Sequence, residues 1–130
     1  MIDFTQHTFR AAAVLTGSYV AGTVFEGGDA YNTLDLLVSF TKSGATSMEW
    51  KIEYSHDGTT YFQETTEATT APTATTRELE HTIVAANQAV AAQGYHYRLA
   101  CSARYIKVSA KVTGTATTTS ATVIGMFSAN

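Results

Sequence analysis

His96 and Cys101 are the nearest approach this sequence makes to a nucleophile and its base. A thiol is activated when a neighbouring imidazole takes its proton, so the two side chains must meet. Five residues apart on one extended strand they point to opposite faces, and Cys101 reads as a small apolar residue. The remaining histidines, His7, His56 and His81, form no HxH or HExxH pair, and none stands at metal-ligand spacing from the lone cysteine. Glu49 and Glu53 share a strand face with Lys51 between them. An acid/base pair needs a cleft that separates the two pKa values, whereas alternating charge is ordinary on a solvated strand face. Asp29 and Asp57 lie beside glycine without the DxDxDG spacing of a calcium loop and read as turn formers. Gly27-Gly28 lacks the third glycine and the following helix of a phosphate loop, and Ser18, Ser55 and Ser102 lie in no nucleophile elbow. No catalytic, cofactor-binding or metal site is expected, and the chain is expected not to be an enzyme.

Fourteen aromatic residues offer another chemistry. Tyr95 and Tyr97 share a strand face and, with Tyr105, would suit stacking on sugar rings. Half-buried tyrosines at a sandwich edge or subunit interface are the plainer reading.

The elements that must position these groups are strands. In Met48–Phe62, Met48, Trp50, Ile52 and Tyr54 alternate with Glu49, Lys51, Glu53 and Ser55, the period of a strand with one buried face. Asp57-Gly58 is expected to supply the positive φ angles of a tight hairpin turn into Tyr61-Phe62. Leu34, Leu36, Val38 and Phe40 form a second apolar face with Leu37 as the exception, and Ile106, Val108, Ala110 and Val112 a third. Tyr19–Phe25 and Leu79–Val84 are further strands, and Tyr95–Ala100 precedes the Arg104–Thr113 strand. Val123, Gly125 and Phe127 occupy one face of the last strand and Ile124 and Met126 the other, so it is buried in a sheet or against another subunit. Residues 64–77, half of them threonine and none of them large and apolar, are expected as a long exposed loop. Ala85–Gln93 is the one place where a helix is credible, with Gly94 as its cap, and Thr113–Ser120 is a polar turn. The expected fold is all-β: an antiparallel two-sheet sandwich, jelly-roll-like, in a single domain over 1–130.

Composition narrows the function. The 23 Thr and 20 Ala suit strands and polar loops, and a net charge of −3 with scattered basic residues argues against nucleic acid. The local cluster Arg98, Arg104, Lys107 and Lys111 reads as a solvated outer face. One cysteine excludes an internal disulfide, so folding needs no oxidation. No leader opens the chain and no apolar run approaches membrane-spanning length, so a soluble product of the cytoplasm without membrane partners is expected.

Two segments resemble known families. WKIEYSHDGTTYFQET at Trp50–Thr65 resembles the S-x-DG-x-x-Y/W hairpin of discoidin-like and other galactose-binding-like sandwiches, and RYIKVSAKVTG at Arg104–Gly114 resembles their RYIRV strand. The combination LDLLVSFTKSG, DG hairpin, Thr-rich segment, RYIKVSAK and β-rich ending is also similar to small tailed-bacteriophage virion proteins, some of which decorate or cement capsids or form collars and tail parts.

That second resemblance implies a structural virion protein, a capsid decoration or cement protein, made in the host cytoplasm and located in the virion. Its partners would be itself, as a homo-oligomer with a trimer favoured, and the major capsid protein or other virion proteins. Residues 1–13 are expected either as an N-terminal arm clamping neighbouring subunits, separable from the sandwich, or as part of the core. Phe4, Phe9, Ile124, Met126 and Phe127 are the expected partner-binding residues. The alternative is a carbohydrate-binding or host-adsorption module with a glycan as partner.

Overall fold

Alternation along the chain decides the architecture. In the computed structural model the described residues are 3–41, 44–70, 73–85, 88, 92–101, 103–114 and 120–129. They form β1 (Asp3–Val14), β2 (Val20–Ala21), β3 (Phe25–Glu26), β4 (Thr33–Thr41), β5 (Ala45–Ser55), β6 (Phe62–Gln63), β7 (Thr65–Thr70), β8 (Thr73–Glu78), β9 (His81–Val84), β10 (Ala92–Ala100), β11 (Tyr105–Gly114) and β12 (Ser120–Ala129). A 3-10 turn at Gly28–Ala30 precedes β4. Leu34, Leu36, Val38 and Phe40 of β4 face Trp50 and Ile52 of β5 and Ile106 and Val108 of β11 across one core, in which every one of them is buried. Tyr54 packs against the same core from the end of β5. The apolar faces predicted on β4, β5 and β11 from period-two spacing are therefore inner faces.

Two antiparallel sheets enclose this core. The front sheet has the order β1-β12-β4-β10, and in the back sheet β11 and β5 are central, flanked by β2 and β3 on one side and by β6 and β9 on the other. Pairing is nested from the outside inward: β1 with β12, β2 and β3 with β11, β4 with β10, and β5 with β6 and β9. Nested pairing split over two sheets is the jelly-roll arrangement.

The N-terminal segment is not a detached arm. It is the edge strand of the front sheet, in register with β12 from Asp3↔Ala129 to Val14↔Ser120. Its inner residues include polar Thr5 and His7, which hides the alternation from a sequence reading. Both are partnered, Thr5 by the Tyr31 hydroxyl and His7 Nε2 by Thr23 Oγ1 at 3.1 Å.

The expected Tyr19–Phe25 strand is interrupted instead, because its middle crosses between the sheets. Gly22 N–H donates to the Val108 carbonyl of the back sheet at 2.9 Å, and Thr23 N–H donates to the Phe9 carbonyl of the front sheet at 2.8 Å. A Cβ at Gly22 would stand 1.9 Å from that Phe9 oxygen, so only glycine passes there.

The Thr-rich stretch is also not a loop. β7 and β8 pair from Thr65↔Glu78 to Thr70↔Thr73 as a separate two-stranded sheet. Threonine's β-branch favours extended backbone even where no apolar side chain is available to bury. The turn at Asp57-Gly58 is wider than a two-residue hairpin: only Gly58 has positive φ, +78°, and the strands resume pairing at Tyr54↔Phe62. Most of the expected 85–93 helix lies outside the described residues, while Ala92, Gln93 and Gly94 belong to β10. The core of the 113–120 turn also lies outside them.

Ile106 is fully buried between the sheets. Ile106→Ala should destabilise the protein by about 2–5 kcal/mol in denaturant unfolding, the range for removing a packed aliphatic side chain; a change under about 0.5 kcal/mol would place that face in solvent. The hairpin should behave oppositely. Leu79 N–H donates to the Glu64 carbonyl at 2.8 Å, fastening the base of the hairpin independently of its tip. Excising the tip half of β7 and β8 should therefore move the unfolding free energy by less than about 1 kcal/mol, since closure entropy varies only logarithmically with length.

Candidate functional site

Period-two geometry divides the five expected partner-binding residues into two sets. Phe4, Ile124 and Met126 lie on the outer face of the front sheet, where the register aligns Met126 between Gln6 and Asp35, and Ile124 between Thr8 and Leu37. Phe4, opposite Ser128, is 63% exposed and Leu37 is 50% exposed, while Ile124 and Met126 are half-buried by their neighbours. Phe9 and Phe127 are buried in the chain's own core and cannot reach a partner. Phe9 goes inward because β12 offers a vacancy at Gly125, where a Cβ would lie 2.7 Å from Phe9 Cε2. Phe127 stacks on Phe25 with centroids 3.9 Å apart.

The apolar centre of this face is small and has a polar rim. Gln6, Thr8 and Ser39 are exposed around it. On the β10 side, Asp35 Oδ1 accepts from Arg98 Nε at 2.9 Å and lies 2.9 Å from His96 Nε2. The hydrogen bond from Arg98 and then that from His96 hold the Asp35 carboxyl below the usual carboxylate range.

The outer face of the back sheet differs in kind. Glu53 lies 3.7 Å from Lys51 and 3.9 Å from Lys107, and Glu49 accepts from Thr113 Oγ1 at 3.1 Å. Lys51 and Lys111 sit over the Tyr19 ring at 4.8 and 4.7 Å from its centroid, and Lys107 over Tyr61 at 4.1 Å. The charges expected to solubilise the strand are thus engaged with one another and with tyrosine rings.

At one end of the sandwich, where β5 and β10 terminate, an open cleft of about 360 Å³ is lined by Tyr54, His56, Glu64, Leu99, Ala100 and Ala103. Glu64 Oε2 lies 3.5 Å from His81 Nε2, and the His81 ring stacks on Trp50 with centroids 4.0 Å apart. Tyr97 meets Trp50 edge-on at 4.8 Å, so Tyr97 turns inward and builds no exposed platform with Tyr95, which also packs against the core. Burial and then the nearby Glu64 carboxylate push the Tyr54 phenol up, keeping it protonated. Phe62, expected in the strand after the turn, pairs with Tyr54, which places both side chains on one sheet face, yet it remains 69% exposed at the sheet edge.

The remaining candidates stay apart. His96 lies on the outer face, while Cys101 is buried, its thiol donating to the Gly28 carbonyl at 3.2 Å. Burial raises that thiol to about 11, leaving little thiolate at neutral pH. Ser55 Oγ accepts from Gly58 N–H at 2.9 Å, and Ser102 lies outside the described residues. Among the described residues no three His, Cys, Asp or Glu side chains gather as metal ligands, and no helix is long and apolar enough to cross a membrane.

No family model matches the chain, and no curated protein matches it in sequence. Among solved structures, the SPBc2 prophage-derived protein YomS is similar, with a TM-score of 0.57, 17% identity, and coverage of 99% of this chain and 96% of that one. The likeness is one of fold, extending along essentially the whole sandwich.

The loop beside the cleft carries a pH signature. Asp57 Oδ1 accepts from the backbone N–H groups of Thr60 and Thr59, each at 2.8 Å, and with the Ser55 hydroxyl these lower its pKa to about 2. The folded value lies below the unfolded one, so the contribution is complete above the unfolded pKa of about 3.9 and disappears as pH falls through the folded value. Asp57→Ala should lower the melting temperature at neutral pH, and the gap from wild type should narrow as pH falls from about 4 towards 2. A gap that stays constant over that window would remove the carboxylate from the account.

Proposed function

We propose that this chain is a structural protein of a tailed-phage particle, a capsid decoration or cement protein that acts by self-association and by binding the capsid lattice, and that it resides in the virion. The observation that carries the reading is the gathering of Phe4, Leu37, Ile124 and Met126 on one outward face. A strand whose two faces are both apolar is expensive to leave half in water, and β12 has this composition. The fold-level likeness to a prophage-derived protein over nearly the full length of both chains supports a phage origin.

Four apolar side chains make the centre of an interface, and the hydroxyls and amide around them make its rim. A stable contact needs about 800 Å² from each partner, so the outer edge of β1 would have to join the patch. Among the described residues, that edge is met at its middle, where Thr23 bonds the Phe9 and Thr8 carbonyls. The clamp assigned to residues 1–13 thereby becomes an edge-and-face contact of an integral strand. Trimers are favoured because decoration proteins of the resembling family sit at local threefold positions.

Sedimentation equilibrium and co-pelleting with phage heads test this reading. The intact chain should sediment as a trimer and pellet with heads, and Leu37→Asp should release monomers whose melting temperature stays close to wild type, because Leu37 is half-exposed in the protomer. A wild-type monomer that stays in the supernatant would overturn the structural reading. Pelleting with tails alone would move the protein from head to collar or tail.

A further inference from the structure

The cleft between the ends of β5 and β10 has the dimensions and lining of a small-molecule site. Its volume of about 360 Å³ falls in the range of ligand pockets. Leu99, Ala100 and Ala103 give it apolar lining, and Tyr54, His56 and Glu64 give it polar groups. Phe62 does not line the cleft itself, but it pairs with Tyr54, which puts its largely exposed ring on the same sheet face next to that lining residue.

The electrostatics of this lining select the ligand. Among the described lining residues Glu64 is the one acidic side chain and none is a lysine or arginine, His56 being the basic side chain present. Its carboxylate is largely withdrawn from water, with a side-chain exposure of 22%. At 3.5 Å the contact with His81 is too long for a good charge-assisted hydrogen bond, so the carboxylate keeps acceptor capacity. The Tyr54 phenol does not ionise near neutral pH, so it adds no second negative charge and keeps an oxygen lone pair for a donor. A partly buried carboxylate in a cleft shared with the Tyr54 ring attracts a cation more strongly than it would in bulk water, and it repels anions.

We propose that this cleft binds a small organic ammonium ion, with its N–H groups on Glu64 and Tyr54, its alkyl body over Leu99, Ala100 and Ala103, and the Phe62 ring at its flank. The site is independent of the assembly face, which lies on the outside of the front sheet.

Amide NMR titration of the full chain with n-butylammonium chloride tests this, with potassium chloride at matched ionic strength as the reference and 1-butanol as the neutral isostere. Saturable shifts should appear at Tyr54, His56, Leu99, Ala100 and Ala103. Binding of 1-butanol, and binding of butylammonium to Glu64→Gln, should each be weaker by about tenfold or more, the value of a hydrogen bond to a charged group. Phe62→Ala, whose side chain is mostly in solvent, keeps the fold and should weaken binding by about threefold. The Phe62 variant carries the test if Glu64→Gln does not fold. Equal shifts from 1-butanol, undiminished binding by Glu64→Gln or Phe62→Ala, or shifts of these amides by galactose but not by butylammonium would overturn the proposal.

Discussion

The seam between β1 and β12 is the constraint on which the rest of the molecule depends. Phe9 fits there only because position 125 carries no side chain; a Cβ would meet Phe9 Cε2 at 2.7 Å and Leu34 Cδ1 at 3.0 Å. Around it Phe127 stacks on Phe25, His7 meets Phe9 edge-on at 4.7 Å, and Tyr31 lies 5.8 Å from Phe127. This aromatic cluster joins β1, β3, β12 and the turn before β4, which closes the front sheet and seals its side against the back sheet. It also dictates the outer face. With side chains alternating strictly along a strand, seating Val123, Gly125 and Phe127 inside obliges Ile124 and Met126 to face out. The core and the outward apolar face are two expressions of one register.

The two outward faces follow different rules. On the back sheet, ammonium groups lie against carboxylates and tyrosine rings, so charges that look available in sequence are already engaged. On the front sheet the engaged charges, Asp35 with Arg98 and His96, lie towards β10, and the apolar residues lie towards β1. A molecule built this way presents one face that is satisfied by itself and one that is not, which orients any association.

Sequence legibility followed the locality of the cause. The β4, β5 and β11 faces were readable because every second residue is large and apolar, and Trp50, Ile52, Ile106 and Val108 lie where that period puts them. Phe9 could not be separated from Phe4, because polar Thr5 and His7 interrupt the inner face of β1 and their partners, Tyr31 and Thr23, are distant in sequence. The β7–β8 pairing is hidden in the sequence because the segment carries no large apolar side chain, leaving the extended preference of threonine as its one signal. The cleft was invisible: Tyr54, Glu64 and Leu99 converge only when β5 and β10 end on the same side of the sandwich. The sequence places Phe62 on a strand, but its exposure follows from the position of that short strand at the sheet edge, which no local pattern encodes.

Nested pairing also fixes an order in time. Asp3 finds Ala129, and Phe9 finds its vacancy at Gly125, only after nearly all of the intervening chain has been made. Contacts so remote in sequence are slow to form, and on the ribosome β1 must wait with an unpaired edge until β12 emerges. Ile124 and Met126 arrive on that same last strand. The outward apolar face of the front sheet therefore does not exist on a nascent chain, and it is completed only with the strand that also completes the core.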